Sequence, residues 1–346
     1  MQYTTLGSSG LVVSKLGFGV MTFGSAERGI KGVAKADGAT ATTLVAAALD
    51  AGVTFFDTAD AYSDGESEVL LGKALGVHRR DVVVSTKIGF RVGNPALVHA
   101  GLSYRRIIDA TENSLRRLGT DYVDVLSLHN SDPLTPLDET LRGLEDVVRR
   151  GWVRYVGYSN YPTWQAATML ERQRARSFSP MIAAQMYYSL LGRDIEIDHV
   201  PFAETNGVGT VVWSPLASGF LTGKYTRADP TGNGGRLNDF DFIPMDKERA
   251  YDAIEKLREL AAARGSTIAQ LALAWLLQRS TVDVVLIGAS TPAQFAENAN
   301  AATIVLSPEE QAVLDALAPP QRPYPAWFAD RIGPDRLVAT ALGRIK

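Results

Sequence analysis

The segment Phe56-Asp57-Thr58-Ala59-Asp60-Ala61-Tyr62 sets a carboxylate and a phenol close together, directly after the apolar run from Val53 to Phe56. Lys87 and His129 each end another such run further along. A phenol ionises near pH 10 and is a poor proton donor at neutrality, but a neighbouring ammonium stabilises its anion and lowers its pKa. Lys87 would supply that charge and Asp57 would pair with Lys87 and hold it. His129 would hydrogen-bond a substrate oxygen and orient it. A tyrosine so placed protonates an alkoxide as it forms, or takes the proton of an alcohol in reverse. Taken singly, each residue has a plainer reading: Asp57 as a helix cap, Tyr62 as packing, Lys87 as a solvated strand end, His129 as a core histidine bonded to backbone. Their joint pattern favours the chemistry.

The elements that must position these groups alternate along the chain. Strands are predicted at 16–19, 53–56, 81–87, 122–129, 153–157, 181–185, 209–213 and 282–287, mostly apolar, as expected where both faces are buried. Helices are predicted at 40–51, 66–75, 104–118, 137–150, 163–175, 198–205, 247–264, 268–278 and 292–302, the last closing the series. Residues 2–6 and 11–14, either side of Gly7-Ser8-Ser9-Gly10, read as a hairpin that plugs or covers something. Eight strands alternating with helices imply an α/β fold of one domain over 1–346, a (β/α)8 TIM barrel with an N-terminal β-hairpin and a C-terminal extension. The competing doubly wound sheet calls for G-x-G-x-x-G after its first strand. Gly17-Phe18-Gly19 is followed by no third glycine at that spacing, and Gly219 to Lys224 is too short for a phosphate-binding Walker loop.

Chemistry in such barrels gathers at the C-terminal ends of the strands. Here those ends carry Asp57, Lys87, His129, Ser159 with Asn160, Gln185, Trp213 with Ser214, and Gly288 to Ser290. A proton shuttled to a forming alkoxide implies a hydride delivered to the same carbon, and no side chain supplies hydride. Trp213 is flat enough to stack on a nicotinamide, with Ser159, Asn160 and Gln185 bonding its carboxamide. Asp60 and Glu66 read as exposed or capping. Phe23, Phe90, Trp327 and Phe328 read as packing.

Composition narrows the alternatives. The 346 residues are 46% hydrophobic and 21% charged, with a formal net charge of -3, which gives no whole-molecule attraction to nucleic acid or anionic lipid. With no cysteine, disulfides, thiolate nucleophiles and cysteine-ligated metals are excluded. Four histidines far apart leave only a carboxylate metal site, and none is expected. Neither a leader-like N-terminus nor an apolar run near 18 residues is present, so a cytoplasmic protein is expected.

Phe56 to Tyr62, Thr86-Lys87, Leu128-His129, Gly157-Tyr158-Ser159-Asn160, Gln185 with Tyr187 to Leu191, Trp213-Ser214-Pro215-Leu216 through Gly223-Lys224-Tyr225, and Gly288-Ala289-Ser290 with Glu297-Asn298 occur in this order. Together they resemble the aldo-keto reductase family over nearly the whole chain, as a bacterial member similar to the branch of potassium-channel β subunits. The resemblance implies a tetrad of Asp57, Tyr62, Lys87 and His129, with Tyr62 as general acid/base, reducing aldehydes or ketones reversibly. It implies an extended cofactor held by Ser159, Asn160, Gln185, Trp213, Ser214, Pro215, Leu216, Ser218, Gly219 and Lys224. The adenosine end would lie near Gly288, Ser290, Gln294, Glu297 and Asn298. NADPH is the expected cofactor, with NADH kept open: Ser290 and Gln294 stand where an arginine often meets the 2′-phosphate, and Lys224 is the substitute cation. Specificity would reside in loops 21–35, 89–102, 216–245 and the tail from Pro319 to Phe328, which could cover the mouth. Three other readings are a cofactor-holding redox sensor without significant turnover, a sugar or alicyclic alcohol dehydrogenase working mainly in the oxidative direction, and a barrel hydrolase or isomerase using Asp57, Asp60 and Glu68 as acid, base or metal ligands. Substrate, direction and oligomeric state do not follow from the sequence.

Overall fold

Runs of apolar residues at eight points of the chain pair side by side, all parallel, and close into a barrel. The structure is a computed structural model and describes residues 1–25 and 27–332. Two strands precede the barrel, β1 (Tyr3–Thr5) and β2 (Val12–Ser14), paired antiparallel. The barrel strands are β3 (Leu16–Gly19), β4 (Phe55–Asp57), β5 (Val83–Ile88), β6 (Val123–Leu128), β7 (Val153–Ser159), β8 (Met181–Tyr187), β9 (Gly209–Trp213) and β10 (Val284–Ile287). They neighbour one another in chain order, with β10 closing between β9 and β3. Each lies within a few residues of its predicted range, and the TIM-barrel expectation holds.

The hairpin is the floor. Leu6 and Val13 are fully buried in one cluster with Phe55, Val83, Val125, Val211 and Val284, so the lower barrel is filled by side chains. Gly7, at φ +57°, is pressed against the sheet: a Cβ there would lie 2.6 Å from the Gly207 carbonyl oxygen, and its N–H donates to Asp283 at 2.8 Å. A floor shut in this way leaves the other end of the barrel as the open one.

The outer layer comprises α1 (Gly38–Asp50), α2 (Glu66–Leu75), the short α3 (Ala96–His99), α4 (Tyr104–Leu118), α5 (Leu137–Arg149), α6 (Thr163–Ala175), α7 (His199–Asn206), α8 (Lys247–Arg264), α9 (Ile268–Leu277), α10 (Pro292–Ala299), α11 (Pro308–Leu317) and α12 (Ala326–Ile332). α4 buries Ile107, Ala110, Ser114, Leu115 and Leu118, the stripe of an amphipathic helix against a sheet. α9 is buried along its whole length. No single described helix is long and apolar enough to cross a membrane; α8 and α9 combine the length and apolar composition only as a pair bent by 92°.

The helical series does not end at α10. α11 follows, opened by a capping box in which Ser307 and Glu310 each bond the other's backbone N–H. Its Asp315 accepts from the Trp275 indole at 2.9 Å and pairs with Arg279, tying α11 to α9. Beyond it, Tyr324, Trp327 and Phe328 cluster on one another and are 72%, 41% and 48% exposed. Trp327 and Phe328, predicted as packing, therefore form a satellite cluster outside the core.

Candidate active site

β4 ends on Asp57 and β5 carries Lys87, and the parallel register sets Asp57 opposite Ser85. Their side chains meet above the strand ends. Lys87 is fully buried and Asp57 is 2% exposed, with Nζ 2.6 Å from Asp57 Oδ2. The same ammonium donates to the Thr58 carbonyl at 2.7 Å and to the Tyr62 hydroxyl at 3.3 Å, so its three protons have three acceptors. Neither residue takes its plainer reading: Lys87 is not solvated, and Asp57 faces Lys87 rather than a helix N-terminus.

Tyr62 opens a short 3-10 turn, Tyr62–Gly65, inside which Ser63 and Asp64 have positive φ. That strained turn aims the phenol back at Lys87. Lys87 does pull the Tyr62 pKa down, as expected, but the net shift is upward. Burial pushes the phenol up, Asp57 adds to that, and the pull of Lys87 does not offset them. Burial also opposes the charge of Lys87, but Asp57 and Tyr62 together outweigh it and its pKa is raised. At neutral pH the pair is an ammonium beside a protonated phenol, an arrangement suited to giving a proton away.

His129 follows β6, and its N–H donates to the Ile88 carbonyl at 2.9 Å. Burial first, then the charge of Lys87, hold its pKa well below the ordinary range, so the ring is neutral. Nδ1 is buried without a partner, and the ring lies edge-on to Tyr62 at 5.7 Å. Phe90 lies 4.3 Å from the same ring and is 42% exposed. It is thus a wall beside His129 rather than core, whereas Phe23 is fully buried as predicted.

The next strands bring a second group together. Ser159 Oγ donates to the Gln185 carbonyl at 2.7 Å. The Asn160 amide donates to Ser159 Oγ at 2.9 Å and to the His129 carbonyl at 3.0 Å. Its oxygen accepts from the Trp213 indole at 3.1 Å, and Gln185 Nε2 donates to Asp57 Oδ1 at 2.9 Å. One hydrogen-bonded circuit therefore joins Trp213, Asn160, Ser159 and Gln185 to Asp57. Asn160, Ser214, Ala217 and Ser218 all have positive φ, a concentration of backbone strain of the kind found at functional sites.

Past Trp213 the chain turns over the mouth, with Ser214 Oγ accepting the Ser218 N–H at 2.9 Å, Pro215 buried and Leu216 half-buried. Gly219, at φ +91°, would place a Cβ 3.8 Å from Lys224 Nζ. From the adjacent strand β10, Gly288, Ser290, Gln294, Glu297 and Asn298 run along the end of the strand and α10. Gly288 is exposed, and Gln294 accepts the Ser290 N–H at 3.0 Å. The predicted residues thus divide between the turns leaving β9 and β10, neighbouring strands of the barrel.

Arg236 was not singled out in the sequence. Its Nε is buried without a partner, and burial lowers its pKa while Tyr225 and Tyr62 feel its charge. It also lowers the pKa of Lys224, after burial. Among the described residues neither cation has a carboxylate partner. Two cations without a carboxylate partner, one of them acting on Tyr62, together with a half-buried Trp213 and a row of amide and hydroxyl groups at the strand ends, fit an extended dinucleotide bearing phosphates.

Asp60 is the other correction. It is fully buried, 2.8 Å from Arg106, and burial pushes its pKa up to about 7 against the pull of Arg106. Glu68, also fully buried, accepts from Thr86 at 2.6 Å and Arg117 at 2.6 Å. Asp60 and Glu68 are thus each taken up in a buried ion pair with an arginine. No group of three potential metal ligands occurs among the described residues. Glu66, half-buried, accepts the Ser25 N–H at 3.0 Å, anchoring the 21–35 loop.

The closed parallel barrel thus carries a buried carboxylate and ammonium beside a half-buried phenol at its strand ends, the groups a proton transfer needs. The sequence model of the Aldo/keto reductase family matches residues 15–319. Relatives include a "Probable voltage-gated potassium channel subunit beta" of Arabidopsis thaliana, 36% identical over 317 residues, covering 88% of this chain and 92% of that protein. One of the same name from Oryza sativa subsp. japonica is 36% identical over 320 residues, covering 89% and 94%. A "Putative voltage-gated potassium channel subunit beta" of Schizosaccharomyces pombe is 36% identical over 277 residues, covering 76% and 79%. The chain belongs to the aldo/keto reductase family, a family of NAD(P)H-dependent oxidoreductases.

Proposed function

We propose that the protein reduces aldehydes or ketones with NADPH, reversibly, with Tyr62 as general acid/base. The observation that carries this is the fully buried Lys87 ammonium donating at once to Asp57 and to the Tyr62 hydroxyl. The bound cofactor supplies hydride. Neutral His129 orients the substrate oxygen, and Tyr62, protonated at neutral pH, gives its proton to that oxygen as negative charge develops. Lys87 remains charged to stabilise the phenolate left behind, because Asp57 holds it. Arg236 and Lys224 take the cofactor's phosphates, NADPH being favoured over NADH where one of them meets the 2′-phosphate, and Trp213 with Ser159, Asn160 and Gln185 takes the nicotinamide. Quenching of tryptophan fluorescence by NADPH and NADH, followed by a carbonyl screen with Tyr62→Phe as control, tests the reading. Tight NADPH binding with turnover lost in Tyr62→Phe is expected. No response to either nucleotide would refute it.

A second reading comes from the relatives' names, since the three given above are each named as a probable or putative potassium-channel β subunit. In it the barrel holds the cofactor as a redox sensor bound to a partner, without significant turnover. The Lys87–Tyr62 contact is what the reductase requires, and steady-state turnover of small carbonyls decides between the two.

A further inference from the structure

We propose that Gln185 is a positioning residue for the carboxylate of Asp57, and through it for the Lys87–Tyr62 pair, apart from any contact it makes with the cofactor. The consequence for catalysis rests on the reductase reading. The geometry does not. Lys87 reaches only Oδ2 of Asp57, at 2.6 Å. A carboxylate held at one oxygen can still turn about its soft terminal torsion. The second donor, Gln185 Nε2, stands 2.9 Å from Oδ1, and two donors on different oxygens fix the carboxylate plane.

The amide itself has one orientation. An ionised carboxylate has no proton to give, so the nitrogen of Gln185 must face Asp57 and its oxygen must face away. The residue is 5% exposed, and its backbone carbonyl is held by Ser159 Oγ at 2.7 Å. Without Gln185, Oδ1 would lose a donor in a buried site. The Asp57 charge would then be less neutralised, and would oppose ionisation of Tyr62 more strongly. The charged and titratable groups facing Tyr62 are Lys87, Asp57 and Arg236, with neutral His129 at its edge. Gln185 is uncharged, so removing its amide adds no charge of its own, and its effect on Tyr62 runs through Asp57.

The test uses full-length protein carrying 13Cζ-labelled tyrosine, with the Tyr62 resonance assigned by its loss in Tyr62→Phe. Cofactor-free wild type, Gln185→Leu and Asn160→Gly are compared at neutral pH and then on raising pH. Asn160→Gly keeps the left-handed backbone and removes an amide of the same circuit that does not touch Asp57. The expected result is a displaced Tyr62 resonance in Gln185→Leu, titrating at higher pH than wild type, with a wild-type titration course in Asn160→Gly, whose lost bond to the His129 carbonyl beside Tyr62 shifts the resonance less and removes no donor from Asp57. A Gln185→Leu resonance in the wild-type position, with the wild-type course, overturns the proposal. Should Gln185→Leu not fold, Gln185→Glu is read the same way below and above the ionisation of the new carboxyl, the Tyr62 resonance being wild-type only while that group is protonated. Fluorescence titration with NADPH keeps the two readings apart. Failure of wild type to bind cofactor would refute the reductase reading and leave the Tyr62 comparison standing.

Discussion

Lys87 stands 2.6 Å from Asp57 and 3.3 Å from Tyr62, so one buried ammonium is shared unequally between a carboxylate and a phenol. The shorter contact holds the charge and the longer one uses it. Lys87→Met and Tyr62→Phe are each expected to lower kcat about 10²–10⁴-fold, the usual worth of one positioned acid/base group. Because the two act as a unit, the double variant should lose little more than either single one. Steady-state kinetics on the three variants, with NADPH affinity measured alongside, checks this. A double variant whose loss is the product of the single losses would separate the roles.

Acid stability should depend on His199. The residue is 1% exposed, and both ring nitrogens are buried without partners. Burial lowers its pKa to about 4 against a slight opposing pull from Asp198. Between about 4 and the unfolded value near 6.5 the unfolded chain binds the extra proton. Stability is therefore full above about pH 6.5 and falls as pH drops toward 4. Through this residue wild type should lose roughly 2 kcal/mol between pH 7 and pH 5, and His199→Phe should lose that much less. Urea unfolding at both pH values gives the comparison, and equal losses in the two proteins would exclude His199 as the source.

The barrel and its ring of polar strand ends were legible because parallel strands buried on both faces read as apolar runs, and a Lys or His closing such a run stands out. Burial of charge was not. Asp60, Glu68, Arg106 and Arg117 look like ordinary surface charges until the fold brings Arg106 of α4 to Asp60 after β4, and Arg117 to Glu68 of α2. Arg236 sits in a loop without periodicity, where nothing local marks an unpartnered cation. α11 did carry a signal, Ser307-Pro308-Glu309-Glu310, the capping-box spacing before Val313 and Leu314. The direction of the Tyr62 shift was missed because a sequence reveals the neighbouring cation but not how much water has been removed.

The Asp60–Arg106 pair should fail asymmetrically. Both partners are nearly inaccessible, at 1% and 6% side-chain exposure, and Asp60 Oδ1 and Arg106 Nε have no partner. Removing one partner strands the other in the interior, so Asp60→Ala should cost about 3–5 kcal/mol. Asp60→Leu combined with Arg106→Met should recover much of that, because apolar replacement of a buried pair is often near neutral. Urea midpoints for the single and double variants measure the difference. A double variant no more stable than Asp60→Ala would mean that the pair holds the Asp57–Tyr62 segment by a contact that apolar packing cannot supply. The Asp60 N–H, which donates to the Lys87 carbonyl at 3.0 Å, would then be the place to look.

Arg236 offers the sharpest test of how the cofactor is held. It has a buried Nε with no partner, its charge reaches Tyr62 and Lys224, and a phosphate would neutralise it. A charge-assisted hydrogen bond contributes about 1.5–3 kcal/mol, so Arg236→Met should weaken NADPH binding about ten- to hundredfold. If the contact is to the 2′-phosphate, NADH binding should be nearly unchanged; a contact to the diphosphate would weaken both nucleotides alike. Removing the cation also removes a field that favours the Tyr62 phenolate, so the Tyr62 resonance should titrate higher in cofactor-free Arg236→Met than in wild type. Fluorescence titration with each nucleotide gives the binding half, and unchanged affinity for both would rule Arg236 out as a phosphate ligand.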